Sequence, residues 1–289
     1  MTLFLPQSPN FPRLHQSTAN TLLKCPRLAW YYHEDLGGHK KPGTKATKLG
    51  NVLDKMIFGV GPELEVIDPA HHVGPKGGIP EGWTNASIRA ARDAAEAAGR
   101  FPVLLDEYEG NRLFVDEVLR QLREEHQIEF TGESQVTLQW ESRENGVPCE
   151  GRLDHLVFQR LDPPRIMIWD LKTCRDASEE AVARSIVKYG YHIQHAAYVE
   201  AASVLNPKAI VEMEFLFAET EPPFLVRRVP LAGTMKSLGE YQWARACRIW
   251  KDCVEKNDWP GYPVTRIEAK PYQLIEAVED GDEAMDIHG

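Results

Sequence analysis

The sequence predicts an α/β fold, a central mixed sheet flanked by helices and preceded by an N-terminal helical extension. Three observations predict it. Runs of strand character follow one another at Ser134 to Trp140, Val147 to Phe158 and Arg165 to Lys172, the first two joined by Asn145-Gly146, a strong hairpin turn. Helical spacing dominates on both sides of this block. The resulting order of helices, three strands, helices, strands and a last helix fits a mixed sheet covered by helices.

Taken in order, a first helix is expected from about Ser17 to Tyr32, with Ser17 as N-cap and Pro26 as an irregularity. From Lys45 to Phe58, Leu49, Val52, Leu53, Met56 and Ile57 fall on one helical stripe with Asp54 at its margin, and Gly59 and Gly61 stop the run. Residues 62 to 84, rich in Gly and Pro, read as a long loop. Asn85 to Ala98 is an alanine-rich helix ended by Gly99, and a further helix covers about Asp106 to Glu125. After the three strands, helices are expected at Ser178 to Lys188 and Tyr191 to Val204. Strands follow at Ile210 to Ala218 and Phe224 to Val229, then a long helix from Thr234 to Lys256.

The chemistry gathers at Gly151-Arg-Leu-Asp154 and, sixteen residues after Asp154, at Asp170-Leu-Lys172, which closes the apolar run Arg165 to Trp169. Strand side chains alternate, so Ile166, Ile168, Asp170 and Lys172 share one face while Met167, Trp169 and Leu171 share the other. By the same rule Arg152 and Asp154 share a face of the preceding strand, and a hairpin pairing would set Asp154 beside Asp170. Two carboxylates with a lysine at the lip suit a hard cation that takes oxygen ligands and keeps several waters, Mg²⁺ rather than zinc. Lys172 would orient an attacking water, or take its proton if burial and the metal lowered its pKa. The other acid-x-Lys tripeptide considered, Glu268-Ala-Lys270, precedes Pro271 and lies outside any apolar strand. Tyr191, Gln194 and Tyr198 form one stripe of the second helix after the Asp170 strand.

With 289 residues and 43 % hydrophobic content, the chain is long enough for one large domain. No stretch reaches the roughly 18 apolar residues of a membrane span, and Met1 to Pro6 lacks the charged start of a signal peptide. Five cysteines at irregular positions suggest reduced thiols, so a cytoplasmic protein is expected. The net charge of −10 is unevenly spread. The tail Glu276 to Gly289 carries six acids and no Lys or Arg, whereas residues 36 to 53 hold Lys40, Lys41, Lys45 and Lys48 and no acid, a candidate DNA grip.

Together these motifs resemble the PD-(D/E)xK nucleases, and within them the phage and prophage RecE-like exonucleases related to exodeoxyribonuclease VIII. The resemblance runs from the first helix with its Cys25-Pro-Arg, through Lys48 to Asp54 and Gly132-Glu133-Ser134, to Gly151-Arg-Leu-Asp154, Trp169 to Thr173, Lys188 to Tyr198 and Trp259-Pro-Gly-Tyr262. It implies a single nuclease domain over residues 1–265, helical over residues 1–130 and with a restriction-endonuclease-like core over residues 131–256, followed by a flexible acidic tail over residues 266–289. It implies that Asp154, Asp170 and the Leu171 carbonyl bind Mg²⁺ or Mn²⁺ and that Lys172 serves the attacking water. Glu133 matches the acid of the first core strand, and Gln194 and Tyr198 match the Gln-x-x-x-Tyr motif bordering the site. Asp54 stands where these relatives usually carry a metal-ligating histidine.

The activity so implied is Mg²⁺-dependent degradation of linear duplex DNA from its 5′ ends, leaving 3′ overhangs for a single-strand annealing partner. The enzyme would be a ring-shaped homo-oligomer in the cytoplasm of a bacterial host. Two alternatives accompany it. One is a DNA-end-binding protein of the same fold without turnover. The other is an iron–sulphur relative using Cys25, Cys247 and Cys253, for which a fourth nearby cysteine is missing.

Overall fold

The computed structural model describes residues 11–40, 45–74, 77–272 and 275, with backbone alone at 45–48 and 51. The chain divides into two units, Met1–Trp259 and Pro260–Gly289.

In the first unit a six-stranded mixed sheet is built around β5 (Pro148–Gln159). One edge of β5 carries β4 (Glu133–Glu141) in the antiparallel hairpin turned at Asn145-Gly146. Its other edge is shared. β6 (Arg165–Cys174) pairs with β5 antiparallel at 155–159, and the two-residue β1 (Leu14–His15) pairs with it in parallel at Cys149 and Glu150. Between these partners, residues 151–154 face a fork. β7 (Ile210–Glu219) then runs parallel to the whole of β6, and β8 (Val226–Pro230) closes the sheet antiparallel to β7.

Helices cover both faces. On one lie α1 (Gln16–Lys24), α7 (Tyr191–Leu205) and α8 (Gly233–Lys256), whose Leu22, Ile193, Ala197, Trp243 and Trp250 pack with Leu153, Ile166, Ile168, Phe215 and Phe217. On the other lie α3 (Lys45–Phe58) and α5 (Leu105–Glu124), whose Leu53, Phe114, Val118 and Leu122 pack with Trp169, Leu216 and Ala218. The central strands therefore alternate between two apolar faces, and β6 and β7 read as nearly continuous hydrophobic runs for that reason. α6 (Glu179–Tyr189), capped by Ser178, leads into α7.

Four expectations need correction. The first helix is two, α1 and α2 (Pro26–Tyr32), separated by extended backbone at Cys25, because Pro26 lacks an N–H and starts a new helix at its first position. Ser17 is not the cap. The strand β1 holds the chain extended up to His15, which stands at the N-cap without a side-chain bond. Residues 62–84 are not a plain loop. Leu64–Ile67 forms β2, paired in parallel with β3 (Phe101–Leu104), and Pro69–His72 is a 3₁₀ turn capped by Asp68. With α4 (Ala86–Ala97) these strands bury Ile67, Ile88 and Leu104 in a small core of their own. The last strand begins at Val226 rather than Phe224, whose φ of +58° is incompatible with a strand.

The described residues of the second unit are largely exposed and form neither helix nor strand as far as Lys270, a stretch that includes Glu268-Ala-Lys270. The acidic residues from Glu276 onward lie outside the described residues. No helix among the described residues is long and apolar enough to cross a membrane.

Candidate active site

The site forms where β5 leaves β6. Their ladder ends at the pair His155 and Trp169, while β6 continues to Cys174 along β7, so its edge from Asp170 onward is open on the β5 side. β5 is distorted at the same point. The β4–β5 ladder steps from Val136 and Leu153 to Ser134 and His155, skipping Asp154 and its opposite number Gln135, which has a φ of +53°. Leu153 belongs to the larger core, yet His155, two residues on, meets Phe58 and Phe130 on the opposite face. Strict alternation, the basis for placing Arg152 and Asp154 on one face, does not hold across Asp154. Its carboxylate turns to the strand edge, where Oδ2 accepts the Leu171 N–H at 3.2 Å. A strand residue's N–H and C=O point to the same edge, so the Leu171 carbonyl opens into the fork as well.

Asp170 is the buried member, with 1 % of its surface exposed. Its Oδ2 accepts from Gln194 Nε2 at 2.6 Å. Its Oδ1 is ion-paired with Lys172 Nζ at 2.5 Å, which still leaves that oxygen a second lone pair. Burial pushes the Asp170 carboxyl up to about 7 against the pull of Lys172, and Asp154 adds to the rise. Burial raises the Asp154 carboxyl too, opposed by Lys172 and reinforced by Asp54. For Lys172 burial acts downward, but Asp170 and then Asp154 outweigh it, and the ammonium titrates above the ordinary lysine range.

The stripe on α7 supplies the floor. The Tyr191 ring centroid lies 4.7 Å from Lys172 Nζ, and Tyr198 donates its hydroxyl to the Arg152 carbonyl at 2.9 Å. Tyr198 also explains Gly151. A Cβ there would lie 2.6 Å from Tyr198 Cε1, so only glycine lets the helix approach this closely.

Asp54 reaches the site from α3. Burial raises its carboxyl, while Arg152 lowers it, Asp170 raises it and Lys172 lowers it. The three carboxylates thus act on one another without forming one shell. Among the described residues no three His, Cys, Asp or Glu side chains are gathered to hold a metal. Two aspartates with lone pairs to spare and a carbonyl at the strand edge still fit a hard cation that completes its shell with water. Glu133 is exposed at the start of β4, opposite Leu156, and is not among the charges that chiefly act on Asp154 or Asp170. Of the basic segment, Lys40 is exposed. Lys41 and the side chains of Lys45 and Lys48 lie outside the described residues. The cysteines do not converge either: Cys149 neighbours Cys247, and Cys25 and Cys253 are buried and in no disulfide.

Sequence reasoning assigned no chemistry to Arg152 and Tyr191, which the structure brings to the carboxylates and the lysine. Their positions inside Gly151-Arg-Leu-Asp154 and one turn before Gln194 were the available signals.

A family model described as a PDDEXK-like domain of unknown function (DUF3799) matches residues 109–266, which include β4 to β8, the fork and α7 but neither β1 nor Asp54. No curated protein matches the chain. Among solved structures, a candidate exonuclease from Eubacterium rectale is similar with a TM-score of 0.58, at 14 % identity over 93 % of this chain and 96 % of that one. A phage-related exonuclease from Haemophilus somnus 129PT is similar at 9 % identity and a TM-score of 0.33, over 86 % of this chain and 97 % of that one. The first likeness establishes a shared fold, and the second adds nothing to it.

Proposed function

The chain belongs to the PDDEXK-like DUF3799 family, and from that premise we propose that it is a metal-dependent exodeoxyribonuclease acting on linear duplex DNA. The observation that carries the proposal is the convergence on one strand fork of Asp154, Asp170 and Lys172, with Gln194 bonded to the buried aspartate. Nucleases of this class typically use divalent metal ions, and the hard-oxygen donor set favours Mg²⁺, with Mn²⁺ able to substitute. Asp154, Asp170 and the Leu171 carbonyl would hold the ion, which supplies Lewis acidity toward the phosphate and acidifies a bound water.

The chain's own residues do the rest. Gln194 holds one oxygen of the Asp170 carboxylate by its amide while Lys172 is ion-paired with the other, so the group is kept in one orientation at the fork. Lys172, kept charged by both aspartates, holds the attacking water and offsets negative charge developing on the phosphate. Tyr191 limits where the ammonium can go. Arg152, exposed at the mouth beside Asp54, is placed to hold a neighbouring phosphate.

The polarity, 5′ to 3′ with 3′ overhangs left for an annealing partner, and assembly as a homo-oligomer rest on the resemblance to RecE-like enzymes. Asp54 and the lysines at 40, 41, 45 and 48 are proposed as an outer carboxylate and a DNA grip.

The test is nucleotide release from linear duplex DNA with Mg²⁺, beside a closed-circular control, EDTA and Lys172→Ala. Digestion of the linear form alone, abolished by EDTA and by the substitution, supports the reading. Cutting of the circle would replace it with an endonuclease, and binding of ends without cleavage would replace it with an end-binding protein.

A further inference from the structure

Beside the carboxylates, the turn between α6 and α7 extends Lys172 and Tyr191 into a stair of cations and rings, whose outer members Tyr189 and Lys188 the hydrolytic site leaves unused. Lys172 Nζ lies 4.7 Å from the Tyr191 centroid, the Tyr191 and Tyr189 rings lie 5.7 Å apart at 33°, and Lys188 Nζ lies 5.2 Å from the Tyr189 centroid. The stair starts at the buried ammonium and ends in solvent, where Tyr189 is 50 % exposed. It is also held in place. Gly190 takes a φ of +74°, its α-carbon is packed against Asn20 of α1, and Asn20 donates its amide to the Tyr189 carbonyl at 3.1 Å. Tyr191 is fixed from below by Phe215 and Phe217 of β7. An exposed ring on so firmly anchored a turn loses little entropy when something stacks on it.

We infer that Tyr189 and Lys188 form a subsite for an unpaired nucleotide at the DNA end, the base stacking on Tyr189 and the phosphate paired with Lys188. The inference rests on the nuclease reading and extends it to how the strand is presented. A base has a π-face and its phosphate a negative charge, and the turn offers the complement of each in adjacent residues. Lys188 covers the Tyr189 ring through a long, exposed side chain, so it can swing to a phosphate and free the ring for a base. The contacts through Tyr191 connect this platform directly to Lys172, which places the stacked nucleotide next to the one whose phosphate is attacked. Single-strand recognition by stacking is tolerant of sequence, as an exonuclease without sequence preference requires.

The test uses the full chain and a duplex with a short unpaired end, carrying 2-aminopurine at successive terminal positions, with Ca²⁺ replacing Mg²⁺ so that binding is read without turnover. Affinity is measured by anisotropy and stacking by fluorescence quenching, for wild type, Tyr189→Ala, Tyr189→Phe and Lys188→Ala. Tyr189→Ala should weaken binding about tenfold and abolish quenching at one terminal position, while Tyr189→Phe keeps both. Lys188→Ala should lower the slope of log affinity against log salt by about one. In Mg²⁺ the Tyr189→Ala loss should appear in KM rather than kcat. Wild-type cleavage with unchanged affinity and quenching in Tyr189→Ala overturns the subsite alone. Wild-type protein that neither binds nor cuts DNA overturns the nuclease reading and the subsite with it.

Discussion

Gln194 donates to Asp170 Oδ2 across 2.6 Å, joining the central helix α7 to the end of strand β6 at the carboxylate with least access to water. A buried carboxylate without donors is driven to its neutral form, and this amide is one of the forces that oppose that. The bond therefore fixes the direction of Asp170 and adds to the pull of Lys172 on its charge.

Removing that donor should be felt in metal binding before it is felt in the fold. Gln194→Ala is expected to weaken Mg²⁺ or Mn²⁺ binding by about tenfold or more, in keeping with the roughly 1–3 kcal/mol that follows loss of a partner to a buried charged group. Calorimetric titration of the variant against wild type reads it, and equal affinities would contradict the role given to Gln194.

Binding of the cation should be linked to protons. The Asp170 carboxyl titrates near 7, above its ordinary value, so below that pH the folded protein holds a proton that a cation must displace. The sign is that apparent affinity rises with pH, by about tenfold from about pH 6 to about pH 8 if one group is displaced. Without the cation, this group removes stability as pH climbs from the usual carboxylate range through about 7. Titrations in buffers of different ionisation enthalpy would count the released protons, and a pH-independent affinity would refute the linkage.

Gly151→Ala should destabilise the protein by about 1–3 kcal/mol, because the new methyl group meets the Tyr198 ring in a filled core. The Tyr198 bond to the Arg152 carbonyl should be lost with it. Thermal unfolding followed by circular dichroism measures the loss, and an unchanged Tm would show that the ring can move aside.

Asp54→Asn removes a charge that raises the Asp154 carboxyl and that is itself in mutual repulsion with Asp170. The metal-free protein should become more stable and bind the cation more weakly, two shifts of opposite sign that thermal melts with and without Mg²⁺ separate. Should affinity stay constant, Asp54 has no role in holding the ion. Asp54→His tests whether a nitrogen ligand at this position strengthens Mn²⁺ binding.

Apart from the four-residue β3, the helices and strands from Asn85 onward were legible in the sequence because their signals are local: a stripe of apolar residues, an Asn-Gly turn, a glycine after a helix. Asp170 and Lys172 were legible for the same reason, since one residue of spacing on a strand puts two side chains on one face. β1 and β2 were not, because strands of two and four residues hold too few alternations to stand out, and their partners lie far along the chain at Cys149 and Phe101.

By itself the sequence determined the order of elements from α5 onward, the aspartates and the lysine on neighbouring strands, and the stripe of Tyr191, Gln194 and Tyr198. Only the tertiary structure decided that β1 and β6 share one edge of β5 and leave a fork, that β5 changes face at Asp154, and that Asp54 reaches a site a hundred residues away in sequence. Periodicity reports which side of an element is apolar. Where two strands separate and which helix covers the gap depend on contacts between segments whose separation in the chain carries no periodic signal.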